Sequence, residues 1–494
     1  MDPRTYLLAL LSVWGFPATA TAVLVAEGPE FQANTYTTDD QTDPDVSPDG
    51  AAGFVVVWES LGQDGARRGV FGQRFDADAA AVGSEFQVND FITDDQDDPV
   101  TAAGPGGSFV VVWESRYQDG DGNGVFGRMY DSAGLPAADA FQVSSVTAQD
   151  QSDPGLVSAA DGSFVVAFES DDSDASRDGV ALRCHDAAGM ALGPDTQVNT
   201  FTIDEQGDPV VAGAPDGRFV VVWESAYQDG DGLGVFGQRY DAACVPLGTE
   251  FAVNTYTTGS QSDHAAAMDA AGRFVVVWES DSQDGSGRGV FARLFESAGR
   301  PAGTEFRVNT YTTGAQDNAD VSVGDDGSYL IVWTADNGDG SGRGVRARLF
   351  DRDGVADGDE LQVNVYTTGN QDSPDVAARD GGGFVVVWSG ADRDGSGFGI
   401  FGRRLATDGR FAACGDASEA VGFSVPSTSR SRSLVTATDA LVVLQVAVGV
   451  AECAACVCDV DASGAVTTTD ALFVLQRSLD DSVVLGCPPC EVLE

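Results

Sequence analysis

The sequence predicts an all-β fold, a seven-bladed β-propeller, followed by a small α-helical C-terminal module. Three observations support this prediction: a 55-residue period, four strand-like segments in each period, and the end of that period near residue 412. A period above about 40 residues with four short strands is typical of one propeller blade. Length alone would suggest about three domains, so the repeat, and not the length of 494 residues, decides the organisation.

Residues 1–22 have the pattern of a secretory signal peptide. Arg4 precedes the apolar run Tyr6–Phe16, and Ala20 and Ala22 form the A-x-A pattern of a cleavage site. The run is shorter than the roughly 20 residues that span a bilayer, and we expect no membrane span elsewhere. We therefore expect a secreted protein, extracellular or on the outer cell surface, in a compartment where disulfides persist.

The charge of the chain excludes one class of partner. The chain has 27 Lys and Arg residues against 77 Asp and Glu residues, which gives a formal charge of −50. Binding to nucleic-acid phosphates needs clustered cations, so we expect no nucleic-acid partner. A hydrophobic content of 43% is enough for a packed core and argues against general disorder.

The predicted propeller, residues 23–412, consists of seven copies of one unit. Each unit contains the strand-like segments EFQVN, a run after Q-x-D-P, GRFVVVWES and GVFGQRYD, bounded by Gly, Asp, Asn and Pro. The Trp of FVVVWES recurs every 55 residues, with Phe168 in the one exception. The Trp positions are Trp58, Trp113, Trp223, Trp278, Trp333 and Trp388.

The phase of the repeat predicts how the ring closes. The first unit opens with the strand at 30–34, and the seventh ends after a strand near Leu405. The last blade therefore lacks an outer strand, which we expect the N-terminal strand to supply. Such pairing removes an exposed sheet edge.

The repeat resembles a family of tandem bacterial repeats of the form EFQVNTYTTGxQ…FVVVWES…QDGxGxG, common in exported proteins. The resemblance covers residues 30–408 and implies a repeat architecture without implying a chemistry. The Gln and Asp of these motifs recur in every unit and are expected on one face of the disc. They either form a ligand-binding or calcium-binding surface or hydrogen-bond the backbone of loops and neighbouring blades.

One propeller loop, DGDGNG, has donors spaced for a metal ion. Asp119, Asp121 and Asn123 place oxygen donors at alternating positions before Gly124, a spacing that can wrap Ca²⁺. The alternative is that these side chains cap their own turn.

The sequence contains no catalytic signature, so we name no catalytic residues. Its two histidines, His185 and His264, lie in different blades, and no HExxH, GxSxG or Ser-His-Asp grouping occurs. These residues belong to the third and fifth blades, which break the repeat symmetry. A unique site is to be sought there first.

Residues 413–433 form a Ser/Thr/Arg-rich linker, and residues 434–494 contain a duplicated segment with a calcium-type loop in its second copy. Both copies continue with helical apolar spacing. The loop places donors at positions one, three, five, seven, nine and twelve of an EF-hand-type loop. These donors are Asp459, Asp461, Ser463, Ala465, Thr467 and Asp470.

The module resembles a type I dockerin, which implies Ca²⁺ as cofactor and a cohesin-like or cell-surface protein as partner. The first copy departs from this pattern because Thr428, Arg430 and Arg432 occupy donor positions. Cations there repel Ca²⁺, so we expect a single calcium loop. The degenerate copy leaves docking in two orientations open to question.

The eight cysteines divide between the two parts. Cys184 and Cys244 lie in the propeller out of repeat register, and we expect them to be free. The other six surround the module, where secretion favours disulfides over two zinc half-sites. These six are Cys414, Cys453, Cys456, Cys458, Cys487 and Cys490, and their pairing stays open.

Together these features predict a secreted, calcium-binding propeller that acts as a binding, adhesion or scaffold-attached protein and docks through its module. We expect no catalysis in this interpretation. The alternative is a carbohydrate-active enzyme, a glycoside hydrolase or lyase of a polysaccharide-degrading system. That enzyme needs carboxylates that converge near the propeller axis. A polysaccharide or surface glycan is an expected partner under both hypotheses.

The calcium loop gives a first prediction. Asp459→Ala or Asp470→Ala should abolish calcium-dependent folding of the module, because each removes a carboxylate ligand. Circular dichroism of the full chain with calcium or chelator measures the helical signal, and thermal unfolding reports on the propeller, which should stay folded. A calcium-induced helical signal that is the same in the variants and the parent would contradict the prediction.

Overall fold

Seven four-stranded antiparallel sheets make up the part of the chain that the computed structural model describes, residues 23–50, 53–171 and 177–408. The inner strands contact one another in a closed circle, so the predicted all-β, seven-bladed propeller is confirmed. A 3₁₀ turn spans Pro105–Gly107. The signal peptide, the linker and the dockerin-like module lie outside the described residues.

The strands of each blade are ordered from the axis outward. Blade 1 contains β2 (Gln41–Pro48), β3 (Phe54–Leu61), β4 (Arg68–Phe75) and β5 (Ala81–Gln87); blade 2 contains β6 (Gln96–Ala103), β7 (Phe109–Arg116), β8 (Asn123–Tyr130) and β9 (Phe141–Gln142). Blade 3 contains β10 (Gln151–Ser158), β11 (Phe164–Asp171), β12 (Asp178–His185) and β13 (Thr196–Gln197); blade 4 contains β14 (Gln206–Gly213), β15 (Phe219–Ala226), β16 (Leu233–Tyr240) and β17 (Phe251–Ala252); blade 5 contains β18 (Gln261–Met268), β19 (Phe274–Asp281), β20 (Arg288–Phe295) and β21 (Phe306–Arg307). Blade 6 contains β22 (Gln316–Val323), β23 (Tyr329–Asp336), β24 (Arg343–Phe350) and β25 (Leu361–Gln362); blade 7 contains β26 (Gln371–Ala378), β27 (Phe384–Ala391), β28 (Phe398–Asp408) and β1 (Val23–Gln32).

The second strand of each blade is buried on both faces. In β3 every residue from Phe54 to Ser60 is buried, and Trp58 has no exposed surface. A strand covered on both faces needs a continuous apolar run and not an alternating one, and β-branched Val suits the pleated backbone. The repeated FVVVW sequence is therefore the part of each blade that packs between its two neighbours.

The ring closes as the sequence predicts. Strand β1 pairs with β28 and becomes the outer strand of blade 7. The backbone N–H of Ala33 donates to the carbonyl of Ile400 at 2.8 Å. The first and last strands of the ring thus hold one another, and blade 7 has the same strand order as the other six.

A repeated hydrogen-bond network joins consecutive blades and uses the Gln and Asp residues that recur in every unit. Asn254 donates from Nδ2 to Gln261 Oε1 at 2.9 Å and to Asp229 Oδ2 at 3.0 Å. Its Oδ1 accepts the backbone N–H of Val235 at 2.9 Å. Gln261 begins blade 5 whereas Asp229 and Val235 belong to blade 4, so the network supports the structural interpretation of both repeated residues.

Five arginines add a second link between blades. Each donates from Nη1 to the backbone carbonyl of a residue 40 positions earlier, beside the outer strand of the preceding blade. Arg348, for example, reaches the carbonyl of Val308 at 2.8 Å. The five are Arg128, Arg183, Arg293, Arg348 and Arg403.

The expectation that Cys184 and Cys244 are free was wrong, because they form a disulfide. Cys184 lies in β12 of blade 3, and Cys244 lies in the turn after β16 of blade 4. The two cysteines are 60 residues apart in sequence, five more than one repeat, so the bond joins non-equivalent positions of adjacent blades. No helix in the described ranges is long and apolar enough to cross a membrane.

Removal of this disulfide should destabilise the propeller. The bond spans 60 residues, and the chain-entropy model gives a loss of about 4 kcal/mol for a loop of that size. Cys184→Ser combined with Cys244→Gly tests this, since Cys244 has φ of 61° at a position where several blades have Gly. The free energy of unfolding in urea measures the effect, and an unchanged value would contradict it.

Candidate functional site

The inner strands surround a central channel, and carboxylates ring one of its mouths. The third residue of each inner strand has a positive φ, between 45° and 50°, and lies at a β-bulge. A bulge re-aims a side chain, and Asp and Asn tolerate this left-handed conformation. The ring consists of Asp43, Asp98, Asp153, Asp208, Asp263, Asn318 and Ser373, and it borders a cavity of about 410 Å³.

A second set of acids stands behind this ring, on the second strands of blades 1 to 5. Glu59 Oε1 accepts the backbone N–H of Asp98 at 2.9 Å, and Glu224 Oε1 accepts that of Asp263 at 2.6 Å. Each of these acids therefore holds the bulge of the next blade. The corresponding residues are Glu59, Glu114, Glu169, Glu224 and Glu279, followed by Thr334 and Ser389 in blades 6 and 7.

Burial keeps several of these acids protonated at neutral pH. Loss of solvation, reinforced by the charge of Asp43, raises the pKa of Glu59 to about 8. Burial and the charges of Asp97 and Asp98 raise the pKa of Glu114 to about 9. Burial and the charge of Asp97 raise the pKa of Asp98 to about 7, and burial and the charge of Asp95 raise that of Asp97 to about 6.

The partner of the repeated glutamate differs from blade to blade. It is the first residue of the third strand. Arg68 in blade 1 contacts Glu59 at 2.6 Å, and Arg288 in blade 5 contacts Glu279 at 2.8 Å. Blades 2, 3 and 4 have no arginine at that position. Their residues there are Asn123, Asp178 and Leu233.

Closely spaced carboxylates occur in blade 2, in blade 3 and between blade 3 and Asp208 of blade 4. Asp97, Asp98 and Glu114 each offer an oxygen within 4.8 Å of the others. Two further groups, which share Glu169, meet the same limit; they are Asp153–Glu169–Asp208 and Glu169–Asp171–Asp178. A protonated acid beside an ionised one can transfer a proton, and a close set of carboxylates can also hold a cation.

Three further acids line the channel, and sequence reasoning missed them. Asp375 Oδ2 accepts the backbone N–H of Val46 at 2.6 Å, and Asp320 Oδ2 accepts that of Val376 at 2.9 Å. Asp45 makes the same contact with blade 2. Burial raises the pKa of all three. The sequence does contain a signal that could have found them. An Asp lies two positions after the bulge in blades 6, 7 and 1, which are adjacent, and in no other blade.

The two histidines occupy opposite situations. His264 replaces the proline that follows the bulge and lines the mouth of the channel. Its side chain has 0% exposure, and Nδ1 lies 3.9 Å from Glu224 Oε1. His185 instead stacks on Phe164 with ring centroids 4.7 Å apart, and burial lowers its pKa to about 4. The symmetry break of blade 5 thus falls at the mouth, whereas His185 of blade 3 belongs to the core.

Two tyrosines in the loops between second and third strands are exposed. Tyr117 in blade 2 is 48% exposed and Tyr227 in blade 4 is 63% exposed. Both have positive φ, 59° and 57°, which costs a bulky L-residue about 1–2 kcal/mol. Antiparallel order places these loops at the end of the blade where the inner strands begin, which is the end of the acidic mouth. The equivalent residues Gly62, Ser282, Asn337 and Asp392 also have positive φ, so the repeated turn sets this conformation.

The predicted propeller calcium residues have hydrogen-bond partners in the structure. Asp119 Oδ2 accepts from Gln142 Nε2 at 3.1 Å, and Asp121 Oδ2 accepts the backbone N–H of Gln149 at 3.2 Å. Asn123 Nδ2 donates to Glu114 Oε1. Calcium binding by Asp119, Asp121 and Asn123 stays a prediction. The loop from Asp459 to Asp470 lies outside the described residues.

Comparisons with known proteins return solved structures of low sequence identity. No family model matches the chain, and no curated protein is similar to it. A Dyadobacter fermentans protein of unknown function covers 78% of this chain and 99% of its own at 11% identity, with a TM-score of 0.47. An ulvan lyase of polysaccharide lyase family PL25 covers 76% and 96% at 10% identity, with a TM-score of 0.47. An α-L-arabinanase from Penicillium chrysogenum covers 77% and 99% at 12% identity, with a TM-score of 0.42.

The raised pKa values predict that the propeller loses stability in alkaline solution. Folding raises the pKa of Glu59 and Glu114 from an ordinary 4.5 to about 8 and about 9. Between those values the folded chain holds more protons than the unfolded chain, so stability falls as the pH rises. The thermal midpoint at constant ionic strength should be lower near pH 9 than near pH 5. Glu59→Gln with Glu114→Gln should flatten this dependence, and an equal or higher midpoint in alkali would contradict it.

Proposed function

We propose that the propeller binds a polysaccharide across the acidic mouth and cleaves it with carboxyl groups of blade 2. The observation that carries this proposal is the Asp97–Asp98–Glu114 group, whose oxygens lie within 4.8 Å of one another and whose pKa values differ. Carboxylates that converge at the axis are what the enzyme hypothesis requires. The proposal therefore favours the carbohydrate-active alternative over a purely adhesive propeller.

The roles follow from the environments of the acids. Glu114, with a pKa of about 9, keeps its proton at neutral pH and can donate it to a leaving-group oxygen. Asp97, with a pKa of about 6, is mostly ionised and can act as nucleophile or base. Acids whose environments push their pKa values apart are the pattern of such pairs, and close spacing favours a mechanism with a covalent intermediate.

The surface around this group suits a glycan. Tyr117 follows the strand of Glu114 and exposes its ring on the same face. A planar aromatic ring offers an apolar surface with a polar tip to a ligand that has both characters. Arg116 lies over this ring, with its guanidinium carbon 5.0 Å from the centroid, and so orients it.

The proposed setting of this activity is outside the cell. The signal-peptide pattern of residues 1–22 supports export, and the Cys184–Cys244 disulfide suits an oxidising compartment. The dockerin-like module, with Ca²⁺ at Asp459 and Asp470, would attach the propeller to a cohesin-like or cell-surface partner. Attachment and cleavage together describe a component of a polysaccharide-degrading system.

A second candidate function is glycan binding without cleavage. The observation that favours it is the structural use of the glutamates, since Glu59 and Glu224 both hold the bulge of a neighbouring blade. A residue repeated in five blades for this purpose needs no catalytic role. In that case the exposed tyrosines and the mouth bind a glycan that stays intact.

Glu114→Gln should reduce cleavage about 100-fold or more while binding is kept, because a general acid contributes about 10²–10⁴ to rate. Gln resembles the protonated acid, so the fold should be unaffected. Release of reducing ends or unsaturated products from a panel of polysaccharides measures activity. Glu279→Gln is the matched control, since Glu279 has the same repeat position but is paired with Arg288.

The outcomes separate the two functions. Equal losses in Glu114→Gln and Glu279→Gln would contradict the assignment of Glu114. Absence of turnover across the panel, with calcium-dependent or independent binding on a glycan array, would replace cleavage with binding. Neither turnover nor binding would overturn both.

A further inference from the structure

Two loops of the described propeller have the same sequence, and each carries an exposed tyrosine. Residues 117–122 in blade 2 and residues 227–232 in blade 4 both read Tyr-Gln-Asp-Gly-Asp-Gly. Tyr117 is 48% exposed and Tyr227 is 63% exposed. The repeat does not require an aromatic ring there, because the five other blades have small or polar residues at this position. These residues are Gly62, Asp172, Ser282, Asn337 and Asp392.

The two loops also have the same backbone conformation. The backbone N–H of Tyr117 donates to the carbonyl of Gly122 at 2.6 Å, and that of Tyr227 donates to the carbonyl of Gly232 at 2.7 Å. The tyrosines have nearly equal φ, 59° and 57°. Both side chains therefore leave the same point of the same turn, at the end of the propeller where the acidic mouth lies.

Equal loops are expected to bind equal chemical groups. A tyrosine ring offers an apolar face with a polar tip, and a sugar ring has both characters as well. A polysaccharide built from one repeating unit presents the same sugar at many points along its length. We propose that Tyr117 and Tyr227 are two equivalent sugar-binding platforms that hold one polysaccharide chain at two points. This inference takes its ligand class from the proposed function and does not depend on Glu114 being the general acid.

The order of the blades gives the path of such a chain. Blade 3 lies between the two loops, because its inner strand contacts the inner strands of blades 2 and 4. A chain that reaches from one tyrosine to the other crosses the mouth end of blade 3 and lies beside the strand of Glu114, which leads into Tyr117. Once one platform holds a sugar, binding at the other is an intramolecular step. Such linkage raises affinity about 100-fold or more when the chain spans both sites.

The repeat provides variants that should fold. Tyr117→Ser and Tyr227→Ser copy Ser282 of blade 5, which has φ of 57° in the equivalent turn. The loss of the ring is then the main change at each loop. A Glu114→Gln background keeps the polymers intact during the measurement.

Tyr311→Val is the matched control. Tyr311 is 45% exposed and lies at the same end of the propeller, in the loop before the inner strand of blade 6. Val146 occupies the equivalent position of the loop before blade 3, so the repeat accepts valine there. This control removes an exposed tyrosine that belongs to neither platform.

The experiment measures binding of full-length chains to four polymers and to the matching trisaccharides by affinity electrophoresis and isothermal titration calorimetry. The polymers are arabinan, xylan, mixed-linkage β-glucan and chitosan. The parent should bind one polymer about 100-fold or more tightly than its trisaccharide. Each single variant should lose that difference and bind one trisaccharide fewer per chain with an unchanged Kd. The double variant should lose the trisaccharide sites, and Tyr311→Val should match the parent.

The outcomes keep this inference apart from the proposed cleavage. Polymer affinity that is unchanged in both single variants, an equal loss in Tyr311→Val, or no binding of the parent to any of the four polymers would overturn the platforms. Product release by chains with intact Glu114 would then still support cleavage. Two-point binding without product release would support the platforms and overturn cleavage alone.

Discussion

The hydrogen bond between a buried glutamate and the backbone N–H at the bulge of the next blade is the contact on which both the ring and its acidic mouth depend. Glu59 makes it with Asp98 and Glu224 makes it with Asp263. Because the acceptor must reach a bulge in the adjacent sheet, the carboxyl group has to lie at the joint between blades. At that location Glu59 and Glu114 are desolvated and lie near bulge aspartates, which raises the pKa of both. The packing of the ring and the chemistry of the mouth therefore have the same origin.

Much of the propeller could be predicted from the sequence because its repeat is regular. The position of Trp58 and its counterparts fixed the number of blades, and the phase of the first and last strands predicted the pairing of β1 with β28. These features follow from a period of 55 residues and from the need to cover a sheet edge. What the pattern could not reveal are contacts between different blades. The Cys184–Cys244 bond joins positions that are not equivalent in the repeat, so comparison of equivalent positions concealed it.

The candidate site was harder to predict for a related reason. A repeated Gln or Asp looks structural in a sequence, and the hydrogen bonds of Gln261 and Asp229 with Asn254 support that interpretation for both residue types. The distinctive chemistry comes from single departures: Asn123 and Leu233 where other blades have arginine, and His264 where others have proline. Asn123 contacts the glutamate of its own blade, whereas His264 of blade 5 faces Glu224 of blade 4 across the joint between them. That pairing requires the three-dimensional order of strands, which hydrophobic periodicity does not contain.

These departures have a further consequence for how a symmetric ring acquires a unique site. A carboxylate that all blades need for packing cannot be removed without cost, but its charge partner can change, because the partner lies at the start of the third strand and not in the core. Loss of arginine in blades 2, 3 and 4 leaves the local fold intact, and burial together with neighbouring carboxylates raises the pKa of Glu114 and Glu169 there. The stability given up is small against the packing of the FVVVW strands, since a partly exposed ion pair contributes about 0–1 kcal/mol. Function in such a ring thus arises most readily from the partners of the repeated acids, and the acids themselves stay where the fold requires them.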